Sequence, residues 1–270
     1  MDRTTIAALD AINRDFYATH AGAFAATREA PWAGWDRLLP HLTRLAPAER
    51  AGAGRSSGSR PAALRILDVG CGTGRLDLWL RARIGRPHWY CGLDRSLSIV
   101  SRGRRAGARP PGAGGASTPR CVLADLVATE GSVPCRDAAF DAAIAIGLLH
   151  HLPSFTLRRA LLRDLLRLLP PGGILALAFW QFGADPRFAL RALPWESHGA
   201  IDARELEPGD RLLRWGDAGP ASPGAVRYCH YADPAEVDRL TADLPAEIVD
   251  SYRADGRDAA SNLYRVLRRA

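Results

Sequence analysis

The chain has 270 residues, 47% hydrophobic and 24% charged, enough for one large domain with a well-buried core or two small ones. No apolar run approaches the roughly 18 residues of a membrane span, and Met1-Asp2-Arg3-Thr4-Thr5 lacks the apolar core of a signal peptide, so a cytoplasmic protein with no membrane partner is expected. The net charge of +7 suits a polyanionic partner such as RNA, although all 36 basic residues are Arg, a bias that goes with Ala-, Gly- and Pro-rich, GC-rich coding.

In chain order, Ile6, Leu9, Ile12 and Phe16 recur at near-helical spacing behind Thr4 or Thr5 as a cap, which predicts a helix in the first 30 residues. Phe24, Trp32 and Trp35 follow irregularly, and Leu38, Leu39, Leu42 and Leu45 predict a second helix. Residues 46–62 are rich in Ala, Gly, Ser and Pro and read as a flexible connection. From residue 64 onward strand and helix alternate. Strands are predicted at 64–68, 89–93, 121–124, 140–146 and 174–179, and helices at 76–84, 97–105 and 156–169. Residues 107–119 read as a Gly/Pro/Ala insertion. The helix at 156–169 places Leu157, Leu161, Leu165 and Leu168 on one side, and Pro170-Pro171-Gly172-Gly173 ends it. Residues 247–252 and 263–267 are the candidates for the last two strands.

Strands separated by helices imply an α/β fold with a parallel, doubly wound, Rossmann-like sheet and ligands at the carboxyl ends of its strands. The expected organisation is one domain: an N-terminal helical cap and linker (1–62), a cofactor-binding core (63–180), a substrate-side insertion (181–246) and the last two strands (247–270). The five cysteines, Cys71, Cys91, Cys121, Cys135 and Cys229, fall in no CxxC or CxH spacing, so reduced thiols and no metal site are expected.

The most informative segment is Asp68-Val69-Gly70-Cys71-Gly72-Thr73-Gly74, which follows a strand and precedes a helix. Its glycines let the backbone turn sharply and approach a ligand that a Cβ would block. Such a loop alone also serves nicotinamide and phosphate sites. Three acids sharpen it: Asp68 ends the first strand, Asp94 ends the second at a position suited to two ribose hydroxyls, and Asp125 ends the third, within reach of an adenine amino group. A nicotinamide-binding Rossmann fold shares the glycines and the ribose acid. Asp68 and the Pro-Pro-Gly-Gly turn before the fifth strand favour S-adenosylmethionine (SAM).

This whole pattern, including Leu168-Leu169-Pro170-Pro171-Gly172-Gly173-Ile174-Leu175, resembles the class I SAM-dependent methyltransferases, which implies a seven-stranded, mostly parallel sheet and SAM as cofactor. The candidate cofactor residues are Asp68, Gly70, Cys71, Gly72, Gly74, Asp94, Arg95, Asp125, Leu126 and Ile146. A narrower resemblance begins at the N-terminus. Phe16-Tyr17, Phe24-Ala25-Ala26-Thr27-Arg28 and Pro31-Trp32 are similar to the signature of the tRNA wobble-uridine carboxymethyl methyltransferases, which include the methyltransferase domain of the AlkB-homologue tRNA hydroxylase. Ala23 stands where that family often has His. Gly92-Leu93-Asp94-Arg95-Ser96, Gly147-Leu148-Leu149-His150-His151, Phe179-Trp180, Asp210 to Trp215 and Arg227-Tyr228-Cys229-His230-Tyr231 continue the likeness. Thr73-Gly74-Arg75 replaces the Asn-Gly-Lys of eukaryotic members, and Arg214 replaces a Pro.

The resemblance implies that a carboxymethyl group on uridine is methylated to its ester, with tRNA as partner and, as in eukaryotic members, a small zinc-binding helper protein. A carboxylate is already ionised near pH 7, so no general base is required. It must be held in line with the methyl group and stripped of water. Arg28 and Arg227 are the candidate carboxylate clamps, because a guanidinium fork matches a carboxylate. Tyr17, Tyr228 and His230 are candidates to orient the acid or stack on the base, and His150 or His151 follows the fourth strand on the substrate side, the other of the pair being expected to pack or cap the next helix. A small-molecule acceptor and a SAM-binding protein without turnover are the competing functions.

Overall fold

In the computed structural model, residues 1–46, 63–106, 120–199, 201–216 and 224–270 are described. Most of the expected connection at 46–62 and the whole insertion at 107–119 lie outside these residues. The helices are α1 (Arg3–Ala26), α2 (Gly34–Thr43), α3 (Arg75–Arg83), α4 (Leu97–Ala106), α5 (Phe155–Arg167), α6 (Pro186–Ala189) and α7 (Pro234–Thr241). The strands are β1 (Leu64–Val69), β2 (His88–Asp94), β3 (Arg120–Leu123), β4 (Ala142–Ile146), β5 (Ile174–Trp180), β6 (Ala192–Leu193), β7 (Asp210–Trp215), β8 (Ala225–His230), β9 (Ala246–Ala254) and β10 (Asn262–Arg269).

Seven strands form one sheet in the order β3-β2-β1-β4-β5-β10-β9. The first five run parallel, and β10 is antiparallel to both β5 and β9. Its inner strands are apolar along nearly their whole length, as a sheet covered on both faces requires. Alternate residues therefore feed two cores. Leu67, Val69, Leu175 and Leu177 pack under α5 and α7, whereas Ile66, Ile144, Ala176 and Val266 pack against Trp35, Leu38 and Trp79 of α2 and α3. A hydroxyl cap from Ser154 to the Leu157 amide at 3.2 Å starts α5. Gly131 fits beneath α5, where an added Cβ would sit 2.9 Å from the Leu161 nitrogen.

Two features depart from the expected elements. Asp2, not Thr4 or Thr5, caps α1: its Oδ1 accepts from the Thr5 amide at 2.7 Å. The helix then continues through the Ala-rich stretch to Ala26, so Phe16, His20 and Phe24 lie on one face at i, i+4 and i+8 rather than in an irregular segment. The segment expected as a substrate-side insertion builds a separate antiparallel sheet, β6-β7-β8, against which α1 packs. Among the described residues, no helix is long and apolar enough to cross a membrane.

Candidate active site

The carboxyl ends of β1, β2, β3 and β4 open into a cleft roofed by α1. Its lining includes Tyr17, Arg28, Trp32, Asp68, the 70–73 loop, Arg75, Asp94, Arg95, Asp125, Leu126, Ile146 and His151.

At the cofactor end, the Gly70 and Cys71 amides donate to the Leu93 carbonyl at 2.8 and 2.9 Å, tying the loop to β2. Gly70, at φ +76°, permits the turn, and a Cβ there would also stand 3.0 Å from Leu148. Asp94 accepts from the Gly72 amide at 2.9 Å and from Ser96 at 2.8 Å. Burial raises its pKa. A carboxylate has about four lone-pair sites, so two remain for a pair of hydroxyls. The Asp125 Oδ1 caps the following turn through Val127 and Ala128. Its Oδ2 accepts from Arg95 at 3.1 Å. Arg95 also grips the buried Asp10 of α1 through both of its Nη atoms. Arg95 thus lines the cleft but spends its fork on fastening α1 over it.

Asp68 accepts from the Tyr90 hydroxyl at 2.5 Å, and burial pushes its carboxyl up to about 7. Leu93, Ile99, Leu126 and Ile146 supply apolar walls. Glycines at positive φ, a diol-suited acid and apolar walls fit an adenosyl group. Gly74 is not in the lining: at φ +75° it serves as the N-cap of α3.

At the other end, Tyr17 and His151 form one unit. The His151 Nδ1 lies 3.2 Å from the Tyr228 carbonyl, so it carries the proton, and Nε2 accepts the Tyr17 hydroxyl at 2.9 Å. Asn13 braces the pair by accepting the Tyr228 amide at 3.0 Å. Burial and the Arg227 charge hold His151 down to about 3, and burial raises Tyr17, so both stay neutral at physiological pH. Arg28 packs over Phe24, 4.9 Å from its centroid, and is depressed by burial and by Arg227. Arg227, buried on β8, sits 5.0 Å from the Trp180 centroid and 5.9 Å from those of Phe16 and Phe24. Its Nε has no hydrogen-bond partner. Among the described residues, neither Arg28 nor Arg227 has an ion-paired acid.

The structure places Arg227, His150 and His230 outside the lining of the cleft. His150 turns away from the cleft, packs 5.2 Å from Trp180 and lines a second, smaller cavity with Arg158 and His230. Neighbouring residues of the tight turn Leu149–His151 point in different directions, so only one of the two histidines can face the cleft, and it is His151. His230 is also turned away. Side chains alternate along β8, so Arg227 and His230 cannot share a face. The His230 Nδ1 meets Asp210 at 2.7 Å and its Nε2 meets Glu236 at 3.0 Å. The fully buried Arg158 joins Glu236 at 2.8 Å and Glu207 at 2.5 Å in the same network. Sequence reasoning passed over Arg75 and Asn13. Only the position of Arg75 directly after the glycine loop signalled it.

Residues 66–173 match the family described as Methyltransferase domain. That stretch, about two fifths of the chain, is similar to SAM-dependent methyltransferase domains, and the seven-stranded sheet has the class I methyltransferase fold. The chain is 27% identical over 164 residues to a tRNA (carboxymethyluridine(34)-5-O)-methyltransferase of Macaca fascicularis, a match covering 61% of this chain and 19% of that one. The chain therefore spans about a fifth of that relative's length. A SAM-dependent methyltransferase from Methanosarcina mazei superimposes with a TM-score of 0.59 at 20% identity, covering 77% of this chain and 92% of that one. The Burkholderia thailandensis 1,6-didemethyltoxoflavin-N1-methyltransferase, solved with S-adenosylhomocysteine, gives 0.57 at 19% identity, covering 96% and 88%. Both structural likenesses are to the fold.

Proposed function

We propose that this methyltransferase esterifies the carboxylate of a carboxymethyluridine at the wobble position of tRNA. The observation that carries the reading is the pair Arg28 and Arg227, neither of which has an acid partner among the described residues: Arg28 lines the cleft, and Arg227 is buried outside its lining, 5.9 Å from the ring of the lining residue Phe24. Desolvated cations among aromatic rings attract an anion, and a carboxylate matches their fork. The relative from Macaca fascicularis, named for carboxymethyluridine in tRNA, supports the same acceptor. The +7 charge of the chain suits a polyanion.

Bound SAM supplies an electrophilic methyl group on a sulfonium. Arg28, on the cleft lining, holds one acceptor oxygen, with the Arg227 charge behind the Phe24 ring, and the other oxygen is left free to attack. The Tyr17 hydroxyl donates its hydrogen bond to His151, so it turns lone pairs rather than a donor into the cleft and does not quench the nucleophile. Neutral His151 serves as a brace, and no base is needed, since a carboxylate titrates near about 4. The aromatic wall excludes water from the anion.

The test is transfer from methyl-labelled SAM to tRNA bearing carboxymethyluridine, followed by mild base. The assay is run with and without the small zinc-binding helper that the family resemblance implies. Label released as methanol supports the tRNA ester. An absence of transfer under both conditions, with SAM binding verified, removes tRNA and leaves a small-molecule carboxylate as acceptor.

A further inference from the structure

Cys71, in the glycine loop, folds back over β2 at Gly92, where that strand carries no side chain. A Cβ added to Gly92 would stand 2.7 Å from the Cys71 Sγ and 2.9 Å from its Cβ, so Cys71 fills the space that a side chain at position 92 would take. In the ladder between β2 and β3, the partner of Gly92 is Cys121. Paired residues of neighbouring strands, about 4.8 Å apart, show their side chains on the same face. The Cys121 side chain therefore rises directly beside Cys71, and the two thiols share a hydrogen bond. Both pack in the core beneath α2 and α3. Cys91, one residue earlier on β2, points to the other face and packs against the core under α5. Two sulfurs are thus brought together across a glycine, and both are thiols in this structure.

The two differ in position and in access. Cys71 is 6% exposed and lines the cleft between Gly70 and Gly72, whose amide donates to Asp94 at 2.9 Å. Cys121 is half-buried on β3, an edge strand of the sheet. The hydrogen bond to Cys121, burial and the Asp68 and Asp94 charges all raise the Cys71 pKa, so Cys71 stays a thiol and is the poorer first target for an oxidant.

We propose that Cys71 and Cys121 are an oxidation site, at which hydrogen peroxide closes a disulfide across Gly92 and weakens SAM binding. The more accessible Cys121 meets the peroxide first: its sulfur takes one peroxide oxygen as a sulfenic acid, and the other oxygen leaves as water. The Cys71 sulfur then attacks the Cys121 sulfur, and the sulfenic hydroxyl departs with the Cys71 proton as a second water. Two thiols and one peroxide become one disulfide and two waters, and a dithiol reductant reverses the change. A sulfur–sulfur bond of about 2.05 Å is shorter than any hydrogen bond between thiols, so one side must move. Cys121 is fixed in the β2–β3 ladder, whereas the loop is tied to β2 through the Gly70 and Cys71 amides on one carbonyl, that of Leu93. The loop gives way, and with it the Gly72 amide and its bond to Asp94, the acid suited to the ribose diol. The assignment rests on SAM as the ligand of this cleft and is independent of which acceptor is methylated.

Calorimetric titration of the full chain with S-adenosylhomocysteine, before hydrogen peroxide, after it and again after dithiothreitol, reads the effect without any acceptor. Peptide mapping by mass spectrometry reads the bond. Peroxide should join the Cys71 and Cys121 peptides and weaken S-adenosylhomocysteine about 10-fold, and dithiothreitol should reverse both. Cys121→Ser, at a position outside the cleft lining, should bind as the parent does and ignore peroxide, while Cys91→Ser should respond as the parent does. Saturating S-adenosylhomocysteine should slow closure, because the ligand favours the open pair. Peroxide that joins no Cys71 and Cys121 peptides in the parent chain, a measurement that needs no variant, overturns the site. A joined pair with unchanged affinity overturns its link to the cofactor, as does an equal loss of affinity in Cys121→Ser. Should Cys121→Ser fail to fold, Cys121→Ala decides by the same readouts.

Discussion

Arg227 is the residue whose burial most needs an explanation. A guanidinium set among Phe16, Phe24 and Trp180, with no acid beside it and an orphaned Nε among the described residues, is costly to the folded chain unless an anion arrives. Cation–π contact returns part of that cost, on the order of 1–2 kcal/mol. Charge toward the acceptor follows from the rest. Arg227→Gln is expected to lower kcat/KM for the carboxylate acceptor about 10- to 100-fold, the range for one charge-assisted hydrogen bond. Affinity for S-adenosylhomocysteine should hardly change, because Arg227 is not among the residues lining the glycine-loop end of the cleft. Steady-state kinetics beside calorimetry checks this. A parallel loss of cofactor affinity would mean that Arg227 supports the fold of the cleft and does not serve the acceptor.

Among the elements, β8 carries two jobs on its two faces. Arg227 looks toward the aromatic wall, while His230 locks β7 and β8 to α5 and α7 through Asp210, Glu236 and Arg158. Burial alone would lower the His230 pKa, but its hydrogen bonds to Asp210 and Glu236 outweigh burial and raise it. A raised folded pKa contributes stability that is complete below the unfolded value of about 6.5 and is lost as pH rises through the folded one. His230→Gln should therefore be less stable than the parent at pH 6, by about 1.5–3 kcal/mol for charged hydrogen bonds. The gap should narrow by pH 9. Urea unfolding at the two pH values measures it, and a gap independent of pH would rule out a charged His230. This double duty is also where the sequence was hardest to read. Arg227-Tyr228-Cys229-His230-Tyr231 resembles a family motif, but only the strand alternation, invisible until β8 is known to be a strand, separates the residue beside the aromatic rings from the one in the ion-pair network. The sheet core was legible because each parallel strand is an apolar run ending at a glycine or an acid. The same logic exposed Asp68, Asp94 and Asp125, all of which line the cleft. The sequence offers His150 and His151 alike, and only the turn geometry chooses His151 for the cleft; Arg75 and Asn13 carry no pattern of their own.

At the scale of the whole molecule, α1 is the piece that turns two sheets into one site. It packs on β8, adjoins α4, and contributes Asn13 and Tyr17 to the roof of the cleft. Its attachment to the seven-stranded sheet runs through one buried acid: Asp10, 1% exposed, is held by Arg95, which is also held by Asp125 at the end of the third strand. Arg14, one turn further along α1, meets Asp10 as well, at 2.9 Å. Cofactor acid, bridging arginine and roof helix are therefore one chain of charge, and loosening its α1 end should be felt at the cofactor. Asp10→Asn removes the charge that Arg95 and Arg14 share and should cost on the order of 3 kcal/mol, since Arg95 keeps only Asp125. Hydrogen exchange along Arg3–Ala26 should speed up in the variant, and its affinity for S-adenosylhomocysteine should fall with it. Saturating ligand should restore part of the protection, because binding favours the closed roof. Exchange along α1 that matches the parent would show that packing against β8 alone holds the roof, and that Arg95 serves the cofactor end without reaching the helix above it.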